Sequence, residues 1–260
     1  MTSLSVVMIV KNEADNLKEC LPLLAWADEI VIYDSGSGDE TATIARQFTD
    51  RVFVDEDWQG FGEHRRRAQA KASSDWILMI DADERVTPEL SDQIRNIVKQ
   101  NQQHCVYALP RLSWCFGRFI RHSGWYPDYV VRLYPRLKAE YGHEKVHERV
   151  HYPADMQLQK LSADLIHFTY NDLEHYLVKS ARYAAIWADV RAERGTRSSL
   201  SRAVLHGMAC FIKMYILRLG MLDGRQGLLL ALLSAHSTFA KYADLWIRYQ
   251  PQRASSSESS

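Results

Sequence analysis

The sequence predicts an α/β protein, with a mostly parallel sheet flanked by helices over residues 1–155 and a helical C-terminal region over 156–253. Three observations carry that reading. Short Val- and Ile-rich runs alternate with helical stretches through residues 4–80, as in a parallel sheet buried on both faces. Each run stops at a polar, turn-forming segment. From Asp172 onward, apolar residues recur at roughly every 3.6 positions.

The elements follow in order. Leu4–Val10 is a nearly continuous apolar run and reads as a buried strand; residues 14–24 read as a helix. Residues 29–33 form a second strand that ends in Asp34-Ser35-Gly36-Ser37-Gly38-Asp39, which is turn chemistry. Residues 41–48 are predicted helical, 51–54 a third strand, 62–72 a polar helix and 76–80 a fourth strand closed by Asp81-Ala82-Asp83. Residues 105–153 mix aromatic residues, His and Arg with strand-like pieces at 106–109 and 129–134. The helical region runs from Asp172 to Gly195, then over 199–222 and 226–247, with Asp223-Gly224 as a turn; the Ser-rich 254–260 is expected to be disordered.

With 260 residues, 47% of them apolar and 25% charged, the chain can bury a large core and is neither collagen-like nor disulfide-dense. Cys20, Cys105, Cys115 and Cys210 make no paired metal spacing and read as apolar filler. Formal net charge is zero, which argues against a general polyanion binder, so no nucleic-acid partner is expected. The total conceals a gradient. Residues 1–60 carry 12 acids and 4 bases, whereas residues 194–253 carry nine bases and two acids. Lys11, Asn12 and Glu13 interrupt the first apolar run, so no secretory leader is expected and a cytoplasmic location is. No uncharged apolar stretch long enough to span a bilayer is found.

In such sheets ligands bind beyond the carboxyl ends of the strands, where Asn12, Asp34, Asp81 and Asp83 all fall. Two carboxylates two positions apart on a turn after a buried strand suit a hard divalent cation with a phosphate-bearing ligand, Mg²⁺ or Mn²⁺. The same string resembles the opening of haloacid-dehalogenase-type phosphatases, but Arg85 holds the place, two residues after Asp83, where that motif wants Thr or Val, and Glu84 the place between, which is often Gly. His143-Glu144-Lys145-Val146-His147 matches a zinc-protease string, which needs a long helix that Gly142 and Pro153 argue against.

Ser5 to Glu13, Ile32 to Thr41 and Asp81-Ala82-Asp83-Glu84, in that order, resemble family 2 glycosyltransferases, enzymes of GT-A fold that use nucleotide sugars. Gly60 to Arg65, Trp125-Tyr126-Pro127-Asp128 and Leu222 to Gly227 are similar to the lipopolysaccharide inner-core β-1,4-glucosyltransferases of Gram-negative bacteria. The resemblance implies a Rossmann-like GT-A domain and inverting transfer of glucose from UDP-glucose to heptose of the lipopolysaccharide core. It implies that Val10, Asn12, Glu13 and Asp34 hold the uridine, and that Arg65 faces the diphosphate. Asp81, Ala82 and Asp83 would bind the metal diphosphate, with His147 as a further metal or diphosphate contact. Inversion needs a base for the acceptor hydroxyl. Asp128, among Trp125, Tyr126 and Tyr129, is the candidate, with Glu144 and Glu148 as rivals. Lys11 stands where many relatives have Tyr, and Ser35 replaces the second Asp of the commoner pattern.

Other UDP-sugars and a polyprenyl-phosphate acceptor remain alternatives within the class; a phosphatase or a non-catalytic membrane-surface module lie outside it. Residues 202–222 place Val204, Leu205, Met208, Phe211, Ile212, Tyr215, Ile216 and Leu219 on one face with Arg202, Lys213 and Arg218 interspersed. That pattern fits either peripheral contact with the inner face of the bacterial inner membrane or a buried helical cap.

Overall fold

Both faces of the first strand are covered, and that decides the architecture. In the computed structural model, which describes residues 2–142, 148–170 and 172–250, β1 (Leu4–Val10) sends Val6, Met8 and Val10 into one apolar layer and Val7 into the other. Buried on both sides, a strand cannot alternate polar with apolar, and its sequence reads as one continuous apolar run.

The chain then runs through α1 (Ala14–Cys20), a 3₁₀ turn at Leu21–Leu24, β2 (Glu29–Asp34), α2 (Thr41–Ala45), β3 (Val52–Val54), α3 (Phe61–Gln69), β4 (Trp76–Met79) and β5 (Glu84–Val86). It continues with α4 (Pro88–Gln100), β6 (Cys105–Cys115), β7 (Arg118–Phe119), β8 (Asp128–Pro135), β9 (Glu140–Tyr141), β10 (Val150–His151), β11 (Gln157–Lys160) and β12 (Leu165–Tyr170). The main sheet has the order β3-β2-β1-β4-β8-β6-β12-β5. The β3-β2-β1-β4 half is parallel, as the alternating strands and helices predict. Beyond β4 the main path turns antiparallel: β8 runs against both β4 and β6, and β12 runs against β5, while β11 pairs parallel with β6 at the side. The parallel half positions strand ends, and the antiparallel half brings residues of β8 and β12 to the turn after β4.

Local chemistry fixes the helix ends. Thr87 caps α4 by accepting from the Leu90 N–H at 3.2 Å, Pro88 follows at the first turn, and Asn101 ends the helix at φ +53°. Asp172 and Ser199 cap α5 (Leu173–Glu193) and α6 (Leu200–Phe211) in the same way. The predicted helix at 41–48 is a helix only to Ala45, followed by tighter turns. Cys20, Cys105 and Cys115 are free and buried; burial pushes the Cys20 and Cys115 thiols up to about 12, so they stay protonated as apolar filler.

Two compact units emerge. The first holds residues 1–113 and 126–169, so the sheet extends past residue 155 into β11 and β12. The second holds residues 114–125 and 170 onward: α5, α6, a π-helical continuation at Ile212–Leu217, a 3₁₀ turn at Gly220–Asp223 and α7 (Gly224–Ile247). Within it, Asp223 is buried and accepts from the Arg121 and His122 N–H groups at 3.2 and 2.8 Å, with His122 Nδ1 at 3.0 Å. The Asp223-Gly224 turn of the sequence reading is therefore present, with Gly224 at φ +65°.

Candidate active site

Asn12 follows β1 in the left-handed region, at φ +56°. Its N–H donates to Ser37 Oγ and its Oδ1 accepts from the Gly38 N–H, both at 2.8 Å. Asp34, at the end of β2, accepts from the Ser37 N–H at 2.9 Å and the Ser37 hydroxyl at 2.7 Å, both on Oδ1. The Glu13 N–H donates to Thr41 Oγ1 at 2.8 Å. Val10, Asn12, Glu13 and Asp34 are thus one cluster at the ends of β1 and β2, and its frame is the Ser35–Gly38 turn. Burial raises the Glu13 carboxyl above its ordinary range, and the charges of Asp83, Asp81 and Asp39 push it the same way, against the Asn16 hydrogen bond.

The acidic turn after β4 is tight: the Glu84 N–H donates to the Asp81 carbonyl at 3.0 Å, and Glu84 Oε2 accepts from the Asp81 N–H at 2.9 Å. The two aspartates then part company. Asp81 is clamped between two buried guanidiniums, Arg65 Nη2 at 2.7 Å and Arg132 Nη2 at 2.5 Å, one on each oxygen. Burial alone would raise the Asp81 carboxyl, but Arg132 and Arg65 outweigh it and hold it well below the usual carboxylate range. Ala82 is buried beneath the turn, its carbonyl accepting from Arg85 Nη1 at 2.6 Å. Asp83 is open at 31% exposure and faces His167 Nε2 at 3.3 Å.

Arg65 lies on the inner face of α3, where Gly62, His64, Ala68 and Gln69 are also buried. It stacks over Tyr141 at 5.2 Å and has Glu148 3.7 Å from its Nε. Arg66 and Arg67 face the other way and pair with Glu63, Asp55 and Asp57. Arg132, from β8, bridges Asp81 to fully buried Glu84 at 2.8 Å. Arg111, from β6, lies 3.6 Å from Glu84 and donates through Nε and Nη2 to a single oxygen of Asp128, Oδ2, at 3.0 and 2.5 Å. Charges therefore alternate from Glu148 through Arg65, Asp81, Arg132, Glu84 and Arg111 to Asp128. Among the described residues, Arg65 Nη1 and Arg132 Nε are buried with no hydrogen-bond partner. Such cationic donors suit a phosphate.

His167, Arg132, Arg111 and the hub role of Glu84 escaped the sequence reading. The alternation of Leu165, His167 and Thr169 with Ile166, Phe168 and Tyr170 is a strand signal that would have placed His167 on one face of β12. His143, Glu144 and His147 lie outside the described residues, so the predicted contact of His147 does too.

Among the described residues no group of three metal-ligating side chains converges. Asp83 Oδ2 and His167 Nε2 nevertheless fit a divalent ion. Adjacent ligands about 2.1 Å from an octahedral ion sit roughly 3 Å apart, near the spacing observed. With its proton on Nδ1, toward Thr169 Oγ1 at 3.0 Å, His167 turns the Nε2 lone pair toward that point. One carboxylate and one imidazole leave the remaining positions to phosphate oxygens and water.

The sequence model described as "Glycosyl transferase family 2" matches residues 5–164. The chain belongs to that family. This glycosyltransferase is 26% identical over 257 residues to the lipopolysaccharide core biosynthesis glycosyltransferase LpsC of Rhizobium meliloti (strain 1021), with 92% of this chain and 93% of LpsC covered. It is 25% identical to an uncharacterized glycosyltransferase of Rickettsia felis, with 94% and 90% covered. Among solved structures it is similar to S. aureus TarS 1–349 in complex with UDP-GlcNAc, with a TM-score of 0.50 and 15% identity over 95% of this chain and 91% of that one. The GT-A fold expected from the motifs is the fold these neighbours share. The phosphatase alternative falls with the family. Asp81, its would-be nucleophile, has both oxygens held by arginines.

Proposed function

We propose that this glycosyltransferase moves glucose from UDP-glucose, with inversion, to a heptose of the lipopolysaccharide inner core. The observation that carries the reading is the Asp83–His167 pair on the same turn as Asp81, which buried, incompletely satisfied Arg65 and Arg132 clamp. An oxygen-and-nitrogen donor pair next to fixed cations is an arrangement for a metal-bound diphosphate. The acceptor half of the proposal draws on the likeness to LpsC, which runs nearly the length of both chains.

In this reading the turn held by Asn12 and Asp34 receives the uridine, with Val10 and Glu13 lining it, and Asp34 Oδ2 accepts from the base N–H. Asp83 and His167 hold the divalent ion, which supplies charge to stabilise the departing UDP. Asp81 orients Arg65 and Arg132, whose spare N–H groups take diphosphate oxygens. Asp128 acts as base through Oδ1, since Arg111 occupies Oδ2. As the acceptor oxygen bonds to the anomeric carbon, its proton passes to Asp128 and the bond to UDP breaks on the opposite face. Glu148 is committed to the Arg65 side of the network, which favours Asp128 for this role.

A screen of UDP-glucose, UDP-galactose and UDP-N-acetylglucosamine against truncated core acceptors, with and without Mg²⁺ or Mn²⁺, tests the proposal. The expected result is metal-dependent transfer from UDP-glucose to a heptose-terminated core. Preference for another donor, or transfer only to polyprenyl phosphate, overturns the corresponding half.

A further inference from the structure

The α6 segment and its π-helical continuation are patterned inside out. The side toward α7 is made of small residues: Ala203 and Gly207 are buried, and a Cβ on Gly207 would lie 3.1 Å from the Ala235 carbonyl oxygen. Most of the large apolar side chains are turned to solvent, although Met214 is buried and Phe211 and Tyr215 are half-buried. Val204, Leu205, Met208, Ile212, Ile216 and Leu217 are all exposed, Leu205 at 64% and Leu217 at 72%. Positions 204, 208, 212 and 216 repeat at the spacing of one helical face, so the exposure forms a continuous stripe. A helix facing water carries polar residues on that stripe, and an apolar patch of this extent marks an interaction surface.

The charge around the stripe identifies its partner. Between Gly195 and Ala243 the sequence has six bases and a single acid, Asp223. Asp223 is buried and spent on His122 and two backbone N–H groups, so the exposed charge is cationic: Arg202, Lys213, Arg218 and Arg225. Large outward apolar side chains ringed by cations suit the interface of an anionic bilayer. A second copy of the chain fits poorly, because a two-fold contact would set these like charges against one another. A membrane-crossing helix fits poorly too. Leu200–Leu217 reaches the length and apolarity of a span, with mean hydropathy 1.3, but Arg202 and Lys213 lie inside it and its small-residue side is taken by α7.

We infer that the outward face of α6 and the following π-helix docks this protein on a membrane surface rich in anionic lipid. The inference stands apart from the proposed donor and acceptor, since lipid binding is read without turnover. The test is co-sedimentation of the full chain with phosphatidylcholine vesicles, with and without roughly one-third phosphatidylglycerol, at low and high salt. The wild type should bind the anionic vesicles and lose binding at high salt. Leu205→Glu/Met208→Glu, both outward-facing, should lower partitioning at least about tenfold. Should that variant melt early, Arg202→Gln/Lys213→Gln replaces it, with a loss of roughly fivefold per charge. Binding equal to wild type in a folded variant overturns the inference, as does wild-type indifference to the anionic lipid. A lipid-free wild-type dimer that Leu205→Glu/Met208→Glu splits into monomers overturns it in favour of a second copy.

Discussion

Arg132→Met removes the centre of the charge network while keeping side-chain bulk. Arg132 is 5% exposed and holds Asp81 at 2.5 Å and fully buried Glu84 at 2.8 Å. After the substitution Asp81 keeps Arg65 at 2.7 Å, whereas Glu84 keeps only the Asp81 N–H at 2.9 Å and Arg111 at 3.6 Å. Breaking a buried ion pair from one side costs about 3–5 kcal/mol, because the partner charge stays buried without its counterion. The residual contacts place the expected loss at the lower end, about 3 kcal/mol. Neutralising the stranded partner should reverse much of it. Arg132→Met/Glu84→Gln, in which Gln still accepts from the Asp81 N–H, should recover about 2 kcal/mol. Urea unfolding followed by tryptophan fluorescence reads this directly, since Trp76 on β4 is fully buried. A single-variant loss under about 1 kcal/mol, or a double variant no more stable than the single, refutes the network as a folding element.

Other outcomes follow from the same geometry. Because Arg132 and Arg65 hold the Asp81 carboxyl below its ordinary range, Asp81 stabilises the fold above about pH 4 and that contribution fades as pH falls through the lowered value. Asp81→Asn should therefore cost about 3 kcal/mol near neutral pH, with the gap to wild type narrowing under acid; a gap constant from neutral pH to about pH 3 contradicts this. Asp128→Asn should leave the calorimetric UDP affinity within about twofold while transfer falls at least about 100-fold; retained transfer would pass the base role to Glu144 or Glu148. Gly227→Ala should lower stability by about 3 kcal/mol, since its Cβ would lie 1.9 Å from the Gly220 carbonyl oxygen, and Gly38→Ala, with nothing near its Cβ, serves as the control.

What the sequence shows and hides here has a physical pattern. β1 is legible because burial on both faces forces Val6, Val7 and Met8 to be apolar together. Asp81 and Asp83 are legible because a tight turn after a buried strand is a local feature. Their division of labour is not, since the residues that separate them come from far along the chain. Arg132 arrives on β8, and His167 on β12, whose antiparallel register with β5 sets His167 opposite Glu84. Strand pairing at that separation leaves no local mark beyond the two-residue alternation of Leu165, His167 and Thr169. The apolar face at 202–222 with its interspersed bases is legible, but sequence could not tell which side the rest of the unit covers. The small residues Ala203 and Gly207 turn out to face inward.

In the proposed function, Asp83 and His167 together would hold the divalent ion that carries the donor diphosphate. Calorimetric titration of UDP into wild type, Asp83→Ala and His167→Ala, each with and without Mn²⁺, tests this pairing. The expected result is Mn²⁺-dependent binding in the wild type, and a loss of at least about tenfold in both variants only when Mn²⁺ is present. A His167→Ala protein that binds UDP with wild-type, Mn²⁺-dependent affinity would contradict it.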